Sequence, residues 1–252
     1  MEALISREIF GEGTPELQWQ PWLAQAPLAD DPLSGLLQGC QRVVIVSPHP
    51  DDEILATAGI MQHCADSGLP CTVIAVTSGE ASHPGSRLWT PDQLAQARER
   101  ESAQALALLC PGSQIIHLRI PDGQVQDHQP QLESRLQQLL RPTDAVFCPW
   151  RYDGHPDHEA TGEACAAAAQ EVGSRRFEVP IWTWHWASPG DVRVPWQQAV
   201  RIPLSAEQLD RKCLAVSCFR TQLLPDPSTG RPAILPRWAT ARLLRNFEVV
   251  LR

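Results

Sequence analysis

The stretch "VVIVSPHPDDEILATAG", residues 43–59, sets His49 and the consecutive acids Asp51, Asp52 and Glu53 against the end of an apolar run. Like charges side by side in a tight, half-buried turn repel, and they persist only where a cation or hydrogen bonds compensate. A second stretch, "RYDGHPDHEATG" (151–162), brings His155 and His158 behind another apolar run. Side chains three apart share one side of a helical first turn, so His49 with Asp52, and His155 with His158, can each point at one centre. His49, Asp52 and His158 would together offer two nitrogens and an oxygen and leave a position for water, as in a catalytic rather than a structural zinc site. Nitrogen and carboxylate ligands accept ferrous iron as well. Asp51 falls off the ligand face, where a general base beside an activated water belongs. A capping turn, with Asp51 or Asp52 meeting free helix amides, explains either stretch alone; the two together favour the cation.

The elements that must hold these residues follow from the rhythm of the chain. "RVVIVS" (42–47), "CTVIAVT" (71–77), "QIIHLRI" (114–120) and "AVFCPW" (145–150) read as buried strands, and helical stretches alternate with them. The clearest helix is "PDQLAQARERESAQALALLC" (91–110), with Pro91 and Asp92 in its first turn. The alternation predicts a mostly parallel sheet with helices on both faces, a Rossmann-like three-layer α/β domain. Ligands of such sheets bind beyond the carboxyl ends of the strands, where both histidine and aspartate turns fall. Residues 1–38 read as an extension packing on a domain of residues 39–252, whose C-terminal third is elaborated. In that third, "VPIWTWHWA" alternates Trp182, Trp184 and Trp186 with the period of a strand, and a helix near 205–217 precedes a closing strand, "FEVVL" (247–251).

Composition bounds the rest. Hydrophobic content of 43% with 20% charged residues is that of a globular chain of 252 residues. The formal net charge of -8 argues against nucleic acid as a partner. Lys212 is the only lysine, which removes Walker-type and Schiff-base motifs. The eight cysteines are scattered with no CxxC, as expected of reduced thiols, and no window is apolar over about 18 residues. With no signal-like leader, the expectation is a soluble cytoplasmic protein with no membrane partner, and a homo-oligomer is compatible with it.

On "PHPDDE", "DGHPDHEATG", "TSGEAS", "RERESAQAL", "RIPDG" and "KCLAVSCFRTQL", the chain resembles the LmbE-like, or PIG-L, family of metal-dependent N-deacetylases over residues 40–251. The resemblance implies zinc held by His49, Asp52 and His158, with Asp51 as general base. It gives His155 the tasks of stabilising the oxyanion and protonating the leaving amine. It also points to Arg98 and Asp122 as residues that hold a sugar, although Arg98 could instead pair with Glu101 or Asp122 on a helix surface. Glu53 is expected to orient His49 or His158 rather than to ligate. Where some members have a tyrosine two residues before the first histidine of HPDH, this chain has Asp153, with Tyr152 beside it. The expected activity is removal of an N-acetyl group from a small N-acetylated amino sugar or conjugate. The alternatives are cleavage of a larger N-acyl group, or a non-catalytic sugar- or nucleotide-binding module. Selectivity is expected to lie in loops such as 81–92 and 186–196.

Overall fold

The structure, a computed structural model, describes residue 7, residues 9–26 and residues 28–252. Its first half runs α1 (Glu16–Leu23), β1 (Ala29–Asp30), α2 (Ser34–Leu37), β2 (Arg42–Ser47), α3 (Asp52–Ser67), β3 (Cys71–Ala75), α4 (Pro91–Leu109) and β4 (Gln114–His117). It continues through α5 (Gln129–Leu139), β5 (Asp144–Pro149), α6 (Pro156–Val172), β6 (Arg175–Val179), α7 (Thr183–Trp186) and β7 (Ala199–Pro203). The chain closes with α8 (Ala206–Val216), α9 (Arg220–Leu223), α10 (Arg237–Thr240) and β8 (Phe247–Leu251).

Local signals set several boundaries. Thr90 and Gln93 form a reciprocal capping box at the start of α4, with Pro91 at the first helical position. Gly68 and Gly173 end α3 and α6 in the left-handed conformation that costs glycine nothing. Because successive strand residues point to opposite faces, β2 sends Val43 and Ile45 into a core shared with Ile54 and Ile60 of α3. Val44 and Val46 go into a second core with Leu132 and Leu136 of α5 and Ala164 and Ala168 of α6. Both faces of the sheet are therefore covered, as the near-continuous apolar strands require.

The strand order is β1-β7-β8-β6-β5-β2-β3-β4, and β4, β3, β2, β5 and β6 pair in parallel. From β2 the chain winds outward through β3 and β4, then returns to β5 on the other side of β2. That reversal opens a crevice at the carboxyl ends of β2 and β5, where open α/β sheets take their ligands. β8 inserts antiparallel between β6 and β7. The residues preceding β2 supply the edge strand β1, paired with β7, and Trp19, wholly buried with its ring 4.9 Å from that of Trp184.

One sequence expectation is overturned. The Trp182, Trp184 and Trp186 stretch is not a strand: β6 ends at Val179, and residues 183–186 form a helical turn. Pro180 has no amide for a sheet ladder, and the carboxylate of Asp153 takes the amides of Ile181, Trp182 and Thr183 at 2.9–3.0 Å. With its amides drawn to one point the chain bends, and the three rings diverge. Trp182 faces the crevice, Trp184 joins the tryptophan cluster with Trp19, and Trp186 donates from Nε1 to the Asp153 carbonyl.

Candidate active site

The turn after β2 is strained. Asp51 has φ 141° and ψ -32°, a conformation that costs a non-glycine residue about 1–3 kcal/mol unless its surroundings impose it. They do so here. The Asp51 amide donates to Glu53 Oε2 at 3.0 Å, its carbonyl accepts from Ile54 and Leu55 at 3.0 and 2.9 Å, and its Oδ2 accepts from Arg98 Nη2 at 3.0 Å. Arg98 reaches this point from α4 because Gly79 leaves it room: a Cβ there would lie 2.0 Å from Nη1, which instead donates to the Gly79 carbonyl at 3.0 Å.

Asp52 Oδ2 lies 3.3 Å from His49 Nδ1 and 3.2 Å from His158 Nε2. His158 is fully buried, and its Nε2 has no hydrogen-bond partner among the described residues. Donors on a tetrahedral cation at about 2.0–2.1 Å stand roughly 3.3 Å apart, so the orphaned nitrogen, the carboxylate and His49 Nδ1 fit a divalent cation. The alternative grouping of His49, His155 and Asp157 fits less well, because Asp157 already accepts from the amides of Gly123 and Val125 at 2.8 and 3.2 Å.

The ligand-type histidines are oriented from behind. His158 Nδ1 lies 2.9 Å from Asp153 Oδ2, and His49 Nε2 lies 3.1 Å from Asp157 Oδ2 and 3.2 Å from Asp122 Oδ1. Such carboxylates fix ring orientation and raise ligand basicity. Burial disfavours charge at His158, but Asp52 and Asp153 outweigh it and lift its pKa to about 9. Burial is likewise outweighed at His49, by Asp122, Asp157 and Asp52, which raise it well above the usual value. Asp52 is held below the usual carboxylate range despite burial, chiefly by His158. Protons thus occupy the histidines where a cation would displace them.

His155 caps α6, accepting at Nδ1 from the Asp157 amide at 3.2 Å. With Nδ1 accepting, the neutral ring carries its proton on Nε2. Burial, together with His158 and His49, pushes its pKa down to about 3, so the ring is neutral. Burial pushes Asp51 up to about 8, Arg98 opposing and Asp52 and Glu53 reinforcing.

His49, Asp51, Asp52, Arg98, Asp122 and His155 line one cavity of about 300 Å³. His158 lies beneath it. Two expectations need correction. Glu53 touches neither histidine; it accepts from Ser47, Ser102 and the Asp51 amide, because a buried carboxylate at the second helical position of α3 points back into the turn. Arg98 is paired with Asp51, and not with Glu101 or Asp122, since it points from α4 into the crevice rather than along the helix surface. Asp122 takes the Ala81 amide at 2.9 Å besides facing His49. Tyr152 is 47% exposed, packed with Arg7 and Trp150, away from the cavity.

Trp182, stacked with His155 at 6.3 Å, is the part of the tryptophan stretch that lines the cavity. Other lining residues escaped the sequence: His185 comes from the bent segment, and Leu235, Ala239, Arg242 and Leu243 from the irregular chain around α10. Of the two loops expected to shape selectivity, 81–92 contributes Ala81 and Ser82, whereas none of 186–196 reaches the cavity. Asp153 and Asp157 carried the needed signal, acids within two residues of His155 and His158, but nothing in the string says which histidine each would face. Among the described residues no helix is long and apolar enough to cross a membrane.

Known proteins resemble this chain in sequence and in fold. The chain is 29% identical over 203 residues to a probable N-acetyl-alpha-D-glucosaminyl L-malate deacetylase 2 of Bacillus anthracis, covering 75% of this chain and 88% of that one. It is 28% identical over 179 residues to a 1D-myo-inositol 2-acetamido-2-deoxy-alpha-D-glucopyranoside deacetylase of Rhodococcus erythropolis, covering 57% and 60%. In fold it resembles the A40926 pseudoaglycone deacetylase Dbv21, with a TM-score of 0.60, 22% identity and coverage of 84% of this chain and 96% of that one. The family described as PIG-L, GlcNAc-PI de-N-acetylase, matches residues 44–169, from within β2 to within α6. That span carries both histidine and aspartate turns, and the chain belongs to the PIG-L family.

Proposed function

We propose that this protein is a zinc-dependent amide hydrolase that removes an N-acetyl group from an amino sugar or sugar conjugate. The observation that carries the reading is the separation of tasks at one turn: Asp52 faces His49 and His158, while its neighbour Asp51 faces Arg98 and the cavity. The relatives named as deacetylases of N-acetylglucosamine conjugates supply the substrate class. His49 Nδ1, Asp52 Oδ2 and His158 Nε2 would hold the cation. When bound, a divalent cation acidifies water and polarises an amide carbonyl.

Asp51 accepts the water's proton. Arg98 keeps the carboxylate aimed. The neutral Nε2–H of His155 donates to the oxyanion, a preorganised donor at the cavity wall. Because His155 holds its proton for that bond, Asp51 returns its own proton to the leaving amine. Asp122 faces the cavity beside Ser82, and we assign it to sugar hydroxyls as well as to His49. Arg98 acts through Asp51. A larger N-acyl group is the second reading, favoured by the apolar lining of Leu55, Ile181, Leu235 and Leu243.

Acetate release from N-acetylglucosaminyl compounds, measured beside the metal content of the purified protein, tests the reading. Turnover that vanishes with a chelator and returns with zinc is expected. Metal bound at a one-to-one ratio without hydrolysis of any amide would leave a binding module instead.

A further inference from the structure

Four arginine and lysine side chains are buried among the described residues: Arg98, Lys212, Arg242 and Arg245. Three have an acid: Arg98 pairs with Asp51 at 3.0 Å, Lys212 with Glu248 at 2.8 Å and Arg245 with Glu16 at 2.6 Å. Arg242 is 3% exposed, and no described residue forms an ion pair with it. Its Nη1 meets His185 Nδ1 at 3.1 Å, its Nη2 donates to the Glu12 carbonyl, and its Nε has no partner among the described residues. Of the five N–H groups of a guanidinium, two have a hydrogen-bond partner among the described residues.

Among the described residues its hydrogen bonds go to neutral acceptors. The His185 tautomer makes this plain. His185 Nε2 meets the Phe10 carbonyl at 3.0 Å and must donate there, so Nδ1 is the lone pair that receives Arg242. Indole contact comes from Trp238, 5.1 Å from the guanidinium carbon. Glu16 and Glu12 act on it only from beyond ion-pair distance, and an anion in the cavity would supply the close partner that the guanidinium lacks among the described residues. Arg242 lines the same cavity as His49, Asp51 and His155. From His155 the wall runs through Trp182, stacked at 6.3 Å, to His185, edge-on to Trp182 at 5.9 Å, and so to Arg242. Apolar Leu235, Ala239 and Leu243 line the cavity alongside.

We propose that Arg242 selects a substrate carrying a carboxylate, set several bonds from the scissile amide and bound by this guanidinium at the apolar end of the cavity. This inference rests on the amide-hydrolase reading for its reaction, and on Arg242 alone for its selectivity. A guanidinium is a planar fork that matches a carboxylate in two parallel hydrogen bonds. The carboxylate can belong to the aglycone of an N-acetyl sugar or to the far end of a longer N-acyl group; both present the same chemistry to Arg242.

The zinc-loaded protein is assayed for amine release on two acids and their methyl esters: the carboxymethyl glycoside of N-acetylglucosamine, and N-succinylglucosamine. In the wild type, one acid is expected to exceed its own ester in kcat/KM by about 10- to 100-fold, mainly through KM, as charge-assisted hydrogen bonds allow. Which acid shows the excess identifies the source of the carboxylate. Arg242→Gln should bring that ratio close to one, and Arg242→Lys should restore part of it. Acids and esters used equally well by the wild type, or a preference that survives Arg242→Gln, overturns the proposal. The wild-type ratio stands even where a variant fails to fold. If no compound is hydrolysed, the amide-hydrolase reading has failed, and calorimetric titration of the same four compounds into the wild type decides the carboxylate site alone: tighter binding of an acid than of its ester supports it, and equal binding overturns it.

Discussion

The cavity has two walls made in different ways. One comes from the turns after β2 and β5: short, contiguous in sequence, and bound into hydrogen bonds from Glu53, Arg98, Asp153 and Asp157. The other comes from α7 and the chain around α10, and its lining is largely apolar, with one arginine that forms no ion pair among the described residues. The first wall fixes atoms to a few tenths of an ångström, as a cation and proton transfer demand. The second has only to be the right shape and charge. On the proposed function, chemistry falls to the first and selectivity to the second, and a substitution in either should show a different kinetic signature.

Within the first wall the adjacent acids should separate most widely. Asp52→Ala leaves two histidines and should abolish both metal binding and turnover, a larger loss than that of a general base. Asp51→Asn should keep the metal and lose about 10²- to 10⁴-fold in kcat. Metal content and initial rate on the same preparations decide this, and a metal-free Asp51→Asn protein would refute the division. Asp153 joins the two walls, since one carboxylate serves His158 and the amides of 181–183. Asp153→Asn should therefore weaken metal binding by about 10- to 100-fold and also raise KM; an effect on metal alone would show that the walls are independent.

Acidity gives a third means of separating them. In the metal-free protein His158, with its pKa raised from the ordinary 6.5 to about 9, adds its stabilisation in full below about pH 6.5 and loses it as pH rises through about 9. Metal must displace that proton, so its affinity climbs over the same range, by up to roughly tenfold per pH unit for each proton released. The gap in Tm between metal-loaded and stripped protein should widen from about pH 6 to about pH 9. A constant gap would remove His158 from the ligand set. The mildest change belongs to the second wall: Ile234, at its partly exposed rim, replaced by Ser should raise KM by about two- to fivefold, as loss of a partly buried apolar contact implies, with metal content as before.

What could be read from the sequence follows the same division. β2, β3, β5 and α4 announce themselves through apolar runs, Pro91 and helical spacing, and the two turns through ligand-type residues three apart. These signals are local, and the parallel order of the strands then brings the turns together. The second wall has no such signal. Leu235, Ala239, Arg242 and Leu243 look like any short irregular segment, and Arg242 like any surface arginine, because their meaning depends on contacts with residues 12 and 185. The tryptophan alternation misled because period two is necessary for a strand but not sufficient. A single buried acid, Asp153, can gather the amides that a ladder would need.

The strained Asp51 bears on how this protein can change by descent. Glycine would relax the backbone there, worth about 1–3 kcal/mol, and a lineage selected for folding alone would be drawn toward it. Arg98 stands in the way. Without the Asp51 carboxylate 3.0 Å away, its charge is left buried, and breaking such a pair costs about 3–5 kcal/mol, more than the relaxation returns. The base cannot drift away in one mutational step, because the arginine that aims it also penalises its loss; an inactive descendant must replace both residues or accept a weaker fold.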